Sequence, residues 1–485
     1  MAKPLKLAIE NVRFYVRNRT LRLPFKYGKA CLTAAPLLHC HVIVKGEDGS
    51  KAEGVAGDML PPKWFDKSAA KTFRNNIDEL IQSAQISEQA FQIAAADVVT
   101  PFQLWRTADT VIRQQATTEG LNGLTAAFGV SILERAMLDA ACRLARLPFH
   151  EIVRSNAIGM IPESIHTELA GLTLAECIPK KPTETIAVRH TVGFADPIRD
   201  DELNEAVPNG DTIPRTVEGW IRDSGVRYFK IKISGDIDAD AQRLETLATL
   251  FDAQCPDGYH VTLDGNEQFA GLDSLKSWYA SINARPTLSN FLGRVLYLEQ
   301  PMERDVALNH RVDDAALPPL IIDESDDAVD AFQRAQQLGY RGCSVKNCKG
   351  VIPALLNQML VHKLNRDAPK TYFLTSEDLC NQPVVPLQQD LCTLSTLGIT
   401  HSERNGHHYG GAADHLSAAE TEACLTKHAD LYHAHGSYAA LNIKNGRLSI
   451  GSIHHEGFGL AIPTDFDAMT PLEDWAFESL GVEDV

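Results

Sequence analysis

Charged residues recur at the ends of short apolar runs in the middle of this 485-residue chain. The residues concerned are Lys230, Lys232, Asp264, Glu299, Asp323 and Lys346. Beyond Lys232 they follow one another at intervals of 23 to 35 residues, which is room for one strand, one helix and two loops. Repeated βα units bring their strand ends to one face of a closed barrel, where such folds carry their chemistry. The pattern therefore predicts that these six side chains share one site.

Three of the six residues are acids, whose carboxylate oxygens are hard metal ligands. Asp264, Glu299 and Asp323 would select Mg²⁺, or Mn²⁺, over zinc or copper. Each acid alone would more often be a solvated or helix-capping residue, because the chain contains 63 acids. Three acids at successive strand ends favour a metal site. Side-chain alternation lets only one of Asp323 and Glu324 point inward, and the sequence leaves that choice open.

The three lysines are the candidate bases. Lys230 and Lys232 are two residues apart in the predicted strand YFKIKIS, so both face the same side. A buried lysine is costly unless it is paired or functional, and a nearby cation lowers its pKa. Lys232 and Lys346 would then be general bases on opposite walls, and Lys230 would neutralise a substrate oxygen. The alternative interpretation is a set of surface lysines.

This combination of groups suits the removal of a proton from a carbon next to a carboxylate. Such a carbon acid is very weak, and the enolate needs a metal ion and ammonium groups nearby. Asn266, in LDGN, would support the metal region or bind substrate, although a turn is the plainer interpretation. Glu377 and Glu403, near the last two predicted strand ends, are further candidate substrate-binding residues. Three histidines could also touch substrate, but a loop or core position is the simpler expectation; they are His401, His407 and His408.

Eight segments have the composition of barrel strands. They lie near residues 186–193, 226–233, 259–264, 294–299, 319–323, 341–346, 371–376 and 397–402. Upstream, residues 5 to 60 are β-rich with a turn at Glu47-Asp48-Gly49, and LRLPFKYGKACLT is predicted to be a loop that carries Phe25 and Tyr27. Helical spacing follows from about 66 to 150. Asn445-Gly446 predicts a hairpin turn in the C-terminal segment.

These elements predict an α/β fold with a barrel and an α+β cap. The expected divisions are a capping domain at 1–150, a connector at 151–185, the barrel at 186–436, and a tail at 437–485 that returns to the cap. The polar stretch near 195–215 and residues 281–293 are expected to be insertions.

The composition excludes several other classes of protein. A net charge of −17 argues against a nucleic-acid partner or an acidic membrane surface. The ten cysteines include no CxxC pair, and the N-terminus lacks a signal-peptide core, so a cytoplasmic protein with free thiols is expected. No run of 18 apolar residues is present, so no membrane span is expected.

The motifs KIK, LDGN, LEQP, DES and the lysine of SVKN resemble those of the enolase superfamily. The resemblance is to the mandelate racemase/muconate-lactonising enzyme family, in the branch that includes o-succinylbenzoate synthase and dipeptide epimerases. It implies a modified TIM barrel, (β/α)₇β, an N-terminal α+β capping domain completed by the C-terminal tail, and a Mg²⁺ ion held by Asp264, Glu299 and Asp323. It also implies base roles for Lys232 and Lys346. Cap loops around 25–27 and 57–64 would close over the substrate.

The predicted function is Mg²⁺-dependent removal of the proton α to the carboxylate of a small substrate. Racemisation, epimerisation or cycloisomerisation is the leading outcome, and dehydration of a hydroxy acid such as an acid sugar is the alternative. A non-catalytic metal-binding barrel is the alternative of another class. The chain departs from the family pattern after Lys346, where NCKGV replaces a glycine-rich continuation. The substrate and the oligomeric state stay open, and a homo-oligomer is compatible with the sequence.

Overall fold

The computed structural model describes residues 3–27, 30–95, 97–203 and 211–484. An antiparallel sheet opens the chain, with strands β1 (Leu7–Tyr27), β2 (Ala30–Gly46) and β3 (Lys51–Met59). Buried and less buried residues alternate along much of β1, as expected for a strand with one face on a core. The predicted turn at Glu47-Asp48-Gly49 joins β2 to β3 and is confirmed.

The loop predicted for residues 21–33 is wrong, because β1 continues through Pro24 to Tyr27. Regular pairing with β2 stops at Thr20 and resumes at Phe25, so an irregularity spans the residues between them. Proline has no N–H to donate to a neighbouring strand. Pro24 lies within the irregularity, where β1 is not regularly paired, so no donor is needed there. Phe25 and Tyr27 are therefore strand residues. Residues 28 and 29 of this stretch lie outside the described part of the chain.

Helices follow this sheet along the chain, as the spacing after residue 66 predicts. They are α1 (Phe73–Ala94), α2 (Pro101–Thr118), α3 (Gly123–Ala145), α4 (Phe149–Arg154) and α5 (Leu174–Cys177). The side chains of Thr72 and Thr100 accept hydrogen bonds from the first turns of α1 and α2, which fixes where these helices begin. Nearly every residue of α3 is buried, so it is the central helix of the cap.

The second sheet contains eight parallel strands, and all eight lie within a few residues of their predicted positions. They are β4 (Thr185–Val192), β5 (Tyr228–Lys232), β6 (His260–Asp264), β7 (Val295–Glu299), β8 (Leu320–Ile322), β9 (Gly342–Val345), β10 (Phe373–Ser376) and β11 (His401–Arg404). They pair in sequence from β4 to β10, and β11 pairs with β4. A hydrogen bond of 2.9 Å between the hydroxyls of Ser376 and Ser402 links β10 to β11.

Helices accompany the strands of this curled sheet. They are α6 (Val217–Ser224), α7 (Ile237–Gln254), α8 (Leu272–Asn283), α9 (Ser289–Leu292), α10 (Arg304–Ala307), α11 (Ala331–Leu338), α12 (Val351–Asp367), α13 (Val385–Leu397), α14 (Gly406–Tyr409) and α15 (Ala418–Lys427). The predicted insertion at 281–293 comprises the end of α8, a short 3₁₀ helix and α9. In the insertion predicted at 195–215, residues 204–210 lie outside the described part.

The C-terminal segment connects both sheets. Its strands are β12 (Tyr432–His435), β13 (Tyr438–Leu441), β14 (Arg447–Ser449) and β15 (Thr470–Pro471). Strand β14 pairs with β4, and β15 pairs with β1, so the tail returns to the cap as predicted. The turn at Asn445-Gly446 is confirmed, with φ values of 50° and 68°. The domain divisions at 150, 185 and 436 stay predictions.

The ten cysteines are free thiols, as expected. Within the described ranges, no helix is both long and apolar enough to cross a membrane.

Candidate active site

The strand register brings the predicted residues to one end of the barrel. Lys232 pairs directly with Asp264 across β5 and β6, and Asp264 pairs with Glu299 across β6 and β7. Asp323 and Lys346 directly follow β8 and β9. All six predicted charged residues are at most 6% exposed. We call this set the barrel floor: Lys230, Lys232, Asp264, Glu299, Asp323 and Lys346.

Lys230 is at the centre of the barrel floor. Its Nζ lies 3.0 Å from Asp264, 2.9 Å from Glu299, 2.6 Å from Glu377 and 3.0 Å from Glu403. Burial alone would disfavour the charged ammonium, but the attraction of these four carboxylates outweighs it and raises the Lys230 pKa well above its usual value. Lys230 is therefore a fixed cation next to two of the predicted metal ligands.

The two predicted bases are each held by one carboxylate of the barrel floor. Lys232 Nζ donates to Asp264 Oδ2 at 2.6 Å, and Lys346 Nζ donates to Asp323 Oδ2 at 2.6 Å. Burial opposes the charged form of Lys346, yet the attraction of Asp323 raises its pKa. The sequence analysis predicted a lowered lysine pKa, which requires a cation close to the amine. Carboxylates are the neighbours here, so the Lys346 pKa is raised instead.

Asp323 and Glu324 point to different neighbours. Strand β8 ends at Ile322, so strict alternation does not apply to them, and both are buried. Asp323 Oδ1 accepts from Lys349 at 3.2 Å in addition to the contact of Oδ2 with Lys346. Glu324 Oε1 accepts from Asn266 at 3.0 Å and from Lys67 of the cap at 3.3 Å. This arrangement favours Asp323 as the member of the barrel floor.

The donor chemistry of the barrel floor fits a divalent cation. Asp264, Glu299 and Asp323 supply only carboxylate oxygens, which suit Mg²⁺. Glu299 Oε2 is buried without a hydrogen-bond partner among the described residues, although it lies 2.9 Å from Lys230 Nζ. In the present arrangement every one of these acids contacts an ammonium group. Within the described ranges no three His, Cys, Asp or Glu residues are placed to hold a metal ion together.

Asn266 has a strained backbone within the site. Its φ of 40° is in the left-handed region, which is uncommon for residues other than glycine and marks functional sites when it persists. Its side chain accepts a hydrogen bond from Lys232 and donates one to Glu324. Asn266 therefore links the first predicted base to the acid that contacts the cap.

Glu377 is fixed by a buried arginine that the sequence analysis did not single out. Arg189, in β4, forms an ion pair with Glu377 and donates to the carbonyl oxygen of Ser376 at 2.7 Å. Tyr297 also donates to Glu377, at 3.2 Å. Burial raises the pKa of the Glu377 carboxyl, and the charges of Arg189 and Lys230 oppose that rise. Arg189 could have been found from the sequence, because it is a charged residue inside the apolar run TIAVRHTV, as Lys230 is inside YFKIKIS.

Lys349 is a second residue that the sequence analysis missed. It is buried, and it donates to the Ser344 carbonyl oxygen at 2.7 Å as well as to Asp323. Lys349 lies in a 3₁₀ turn, Asn347–Lys349, so strand alternation could not have identified it. Together with Lys346, it gives Asp323 two ammonium partners.

Glu403 and the histidines near it have different environments. Glu403 accepts from Thr191 at 2.6 Å and contacts Lys230, and it lines the cavity described below. His401 contacts Arg189, His407 contacts His190, and His408 accepts from Trp220. Among the described residues that line the cavity, none is one of these three histidines, which agrees with the simpler expectation for them.

A small cavity lies between the barrel floor and the cap. We call its cap side the cap wall: Phe25, Tyr27, Leu32, Pro61 and Trp64. The Trp64 ring lies over the Lys346 ammonium, with its centroid 4.2 Å from Nζ. Tyr27 donates its hydroxyl to the Pro62 carbonyl oxygen at 2.6 Å. The residues completing the lining are Lys230, Lys232, Lys346, Asn266, Asp378, Leu379, Cys380, Glu403 and Asn405.

No protein-family model and no curated protein sequence matches this chain. Solved structures do match. A mandelate racemase/muconate lactonizing protein from Herpetosiphon aurantiacus has 14% identity and a TM-score of 0.57, over 94% of this chain and 99% of that one. A dipeptide epimerase from Enterococcus faecalis V583, complexed with Mg and L-Leu-L-Tyr, has 12% identity and a TM-score of 0.57, over 93% and 99%. An enolase superfamily member from Listeria innocua has 14% identity and a TM-score of 0.59, over 96% and 97%.

These similarities extend over nearly the whole of both chains, so the cap and the barrel are both included in the match. The chain has the enolase-superfamily fold, in which a capping domain is joined to a TIM-like barrel. The fold predicted from the sequence motifs is therefore confirmed.

Proposed function

We propose that this protein is a Mg²⁺-dependent enzyme that removes the proton α to the carboxylate of a small substrate. One observation carries the proposal: Lys232 and Lys346 come from strand ends separated by β6, β7 and β8, and both line the same cavity. A substrate held between two such groups can lose a proton to one and regain a proton from the other. The enzymes named among the similar folds include an epimerase of dipeptides.

Each charged residue of the barrel floor has a place in this proposal. Asp264, Glu299 and Asp323 would hold the ion, which supplies positive charge beside the enolate oxygens when bound. Lys230 stays charged and adds a second fixed cation close to the reacting carboxylate. The carboxylates that now bind Lys232 and Lys346 orient the two amines until substrate and ion enter.

The leading outcome is racemisation, epimerisation or cycloisomerisation. Two lysines facing one cavity support an outcome that uses one group as acid and the other as base. Dehydration of a hydroxy acid would need a further acid for the leaving hydroxyl. His401 contacts Arg189 and stacks on Tyr228, so Lys346 and Glu403 are the better candidates for that acid. A non-catalytic barrel would have no need for two buried lysines at one cavity.

Exchange of the α-proton with solvent deuterium tests the proposal. Acid sugars, dipeptides and N-acyl amino acids are incubated with the protein and Mg²⁺ in D₂O, and mass gain of the recovered compounds is measured. A racemase or epimerase labels recovered substrate and product, whereas a dehydratase releases water and forms a keto acid. Lys232→Ala and Lys346→Ala should each lower exchange by about 10²- to 10⁴-fold with the enantiomer whose α-proton the missing lysine removes. Unchanged exchange in both variants would favour the non-catalytic alternative.

Metal binding has a readout that is independent of turnover. Mn²⁺ binding, followed by electron paramagnetic resonance, should weaken at least about 10-fold in Asp264→Asn. Asp314→Asn is the matched control, because Asp314 is part of a surface ion pair with Lys276. Equal Mn²⁺ affinity of the wild type and Asp264→Asn would remove the proposed metal site. The cytoplasmic location and the homo-oligomeric state stay predictions, and light scattering tests the latter.

A further inference from the structure

Lys349 is buried next to Asp323, and oxygen atoms surround its ammonium group. We infer that Lys349 is a positioning residue whose ammonium takes the place of a bound monovalent cation. It fills a cage of oxygens that holds one side of the Asp323 carboxylate, so that the other side faces the barrel floor. The functional part of this inference rests on the proposed function, because that proposal assigns Asp323 to the ion site.

Five oxygen atoms lie between 2.7 and 3.2 Å from Lys349 Nζ. They are the Ser344 carbonyl oxygen (2.7 Å) and Oγ (3.0 Å), the Asp323 carbonyl oxygen (3.2 Å) and Oδ1 (3.2 Å), and Asp326 Oδ2 (3.2 Å). We call these five atoms the oxygen cage. An ammonium group has only three hydrogens to donate. The oxygen cage therefore exceeds what directed hydrogen bonds require, and it resembles the shell of oxygens that replaces water around K⁺.

The charges of the oxygen cage suit a cation of single charge. Three of its oxygens are neutral carbonyl or hydroxyl groups, and the other two belong to the carboxylates of Asp323 and Asp326. Asp323 also binds Lys346, so these four residues contain two carboxylates and two ammonium groups. Without the Lys349 ammonium, one carboxylate would have no counter-charge among them, and such a buried charge is costly.

The oxygen cage holds one oxygen of Asp323 and leaves the other to the barrel floor. Oδ1 accepts hydrogen bonds from Ser344 Oγ and Lys349, whereas Oδ2 accepts from Lys346. Among the described residues that line the cavity, Lys346 is present and Lys349 is not. Lys349 therefore acts on the chemistry through Asp323, by fixing the orientation of a carboxylate that would hold the ion.

A short turn makes this arrangement possible. The 3₁₀ turn Asn347–Lys349 follows Lys346 directly, and the backbone N–H of Lys349 donates to the Lys346 carbonyl oxygen at 2.9 Å. The turn carries the Lys349 side chain back to Ser344, which lies in β9. Two amines from one turn thus bind different oxygens of the same carboxylate, Asp323.

Two substitutions of the full-length protein separate the charge from the space that it fills. Lys349→Ala removes the amine and leaves room for an ion, whereas Lys349→Met places a methyl group where the ammonium was. Thermal unfolding is measured with EDTA present in chloride salts of K⁺, NH₄⁺, Na⁺ and tetramethylammonium at equal ionic strength. Both variants should have a lower Tm than the wild type in tetramethylammonium chloride. K⁺ or NH₄⁺ should then raise the Tm of Lys349→Ala by about 2 °C or more, and leave that of Lys349→Met unchanged.

The same pair of variants tests the positioning role. Exchange of the α-proton is measured with Mg²⁺ and a carboxylate that the wild type deuterates. Exchange should fall about 10-fold or more in both variants, and K⁺ should restore it in Lys349→Ala alone. Lys276→Ala is the matched control, because Lys276 is part of a surface ion pair with Asp314 and should respond to no cation specifically.

An equal response of Lys349→Ala and Lys349→Met to K⁺ would overturn the oxygen cage as a cation site, as would an equal gain from tetramethylammonium. A K⁺-specific gain in Tm without recovery of exchange would support the cation site and overturn the positioning role. A wild type that deuterates no carboxylate would contradict the proposed function, while the unfolding experiment still tests the cation site.

A third variant covers the case in which Lys349→Ala does not fold. Ser344→Ala removes one oxygen of the cage and the hydroxyl that donates to Asp323 Oδ1. It should lower exchange a few-fold, because Oδ1 keeps only Lys349 as a donor. An unchanged rate in Ser344→Ala would overturn the positioning role.

Discussion

The two sides of the cavity differ in almost every physical property. On the barrel floor, Lys230, Lys232 and Lys346 each contact one or more carboxylates. On the cap wall, the hydroxyl of Tyr27 donates to the Pro62 carbonyl in the segment after β3, and the other side chains are apolar. The barrel floor is positioned by eight paired strands, whereas the cap wall combines strand residues with the segment after β3.

The difference indicates a division of tasks. Charges that are buried together fix one another, so a change at one position of the barrel floor leaves a neighbour without its counter-charge. Apolar side chains on the cap wall do not depend on a counter-charge, so substituting one apolar residue for another costs less stability there. The barrel floor therefore suits a chemistry that stays constant, and the cap wall suits the choice of substrate.

The largest effect on stability is expected at Glu377, the acid between Arg189 and Lys230. Glu377→Ala removes the counter-charge of the buried Arg189, and we expect the free energy of unfolding to fall by about 3 to 5 kcal/mol. Urea unfolding of the purified variant measures this change.

A second substitution sharpens the test. In an Arg189→Met background no guanidinium is left unpaired, so Glu377→Ala should cost at least about 1 kcal/mol less than it does in the wild type. Equal costs in both backgrounds would show that the ion pair does not connect these residues energetically.

An intermediate effect is expected at Glu134, where the cap meets the barrel. Its carboxylate, in α3, accepts from the backbone N–H groups of Val351 and Ile352 at the start of α12, at 3.0 and 2.6 Å. Glu134→Ala leaves both donors unpaired, and we expect unfolding free energy to fall by about 2 kcal/mol. Glu134→Gln keeps one acceptor and should lose less, as measured by the same urea titration. A loss of equal size in both variants would contradict this capping role.

The smallest effect is expected on the cap wall. Phe25 stacks on Tyr409, with ring centroids 4.1 Å apart, and also lines the cavity. Phe25→Leu should reduce unfolding free energy by about 1 kcal/mol and raise the substrate concentration for half-maximal α-proton exchange a few-fold. The rate of α-proton exchange at saturating substrate should stay the same. A large loss of that rate would show that the cap wall also takes part in the chemistry.

Most of the fold could be predicted from the sequence, because the five strands from β5 to β9 are short apolar runs that end in, or directly precede, a charged residue. Parallel strands then bring Asp264 and Glu299 into register without further information. The error at β1 arose because Pro24 indicates a loop locally, while pairing with β2 on both sides of an irregularity keeps the strand continuous. Lys349 could not be found in this way, since its partners come from the preceding strands and its own segment is a turn.

The partners of the predicted residues could not be derived from the sequence either. Lys230 contacts Glu377 and Glu403 because β10 and β11 complete the barrel beside β4 and β5, and that closure depends on the whole sheet. The choice between Asp323 and Glu324 likewise required the positions of Lys67 and Lys349.

The central claim is that Lys232 and Lys346 act on opposite faces of one substrate. Both enantiomers of a carboxylate that the wild type deuterates are incubated separately in D₂O with Mg²⁺, and α-deuterium is measured by NMR. The proposed arrangement predicts that Lys232→Ala retains exchange with one enantiomer and that Lys346→Ala retains it with the other. Equal loss of both enantiomers in both variants, or unchanged exchange in either, would contradict it.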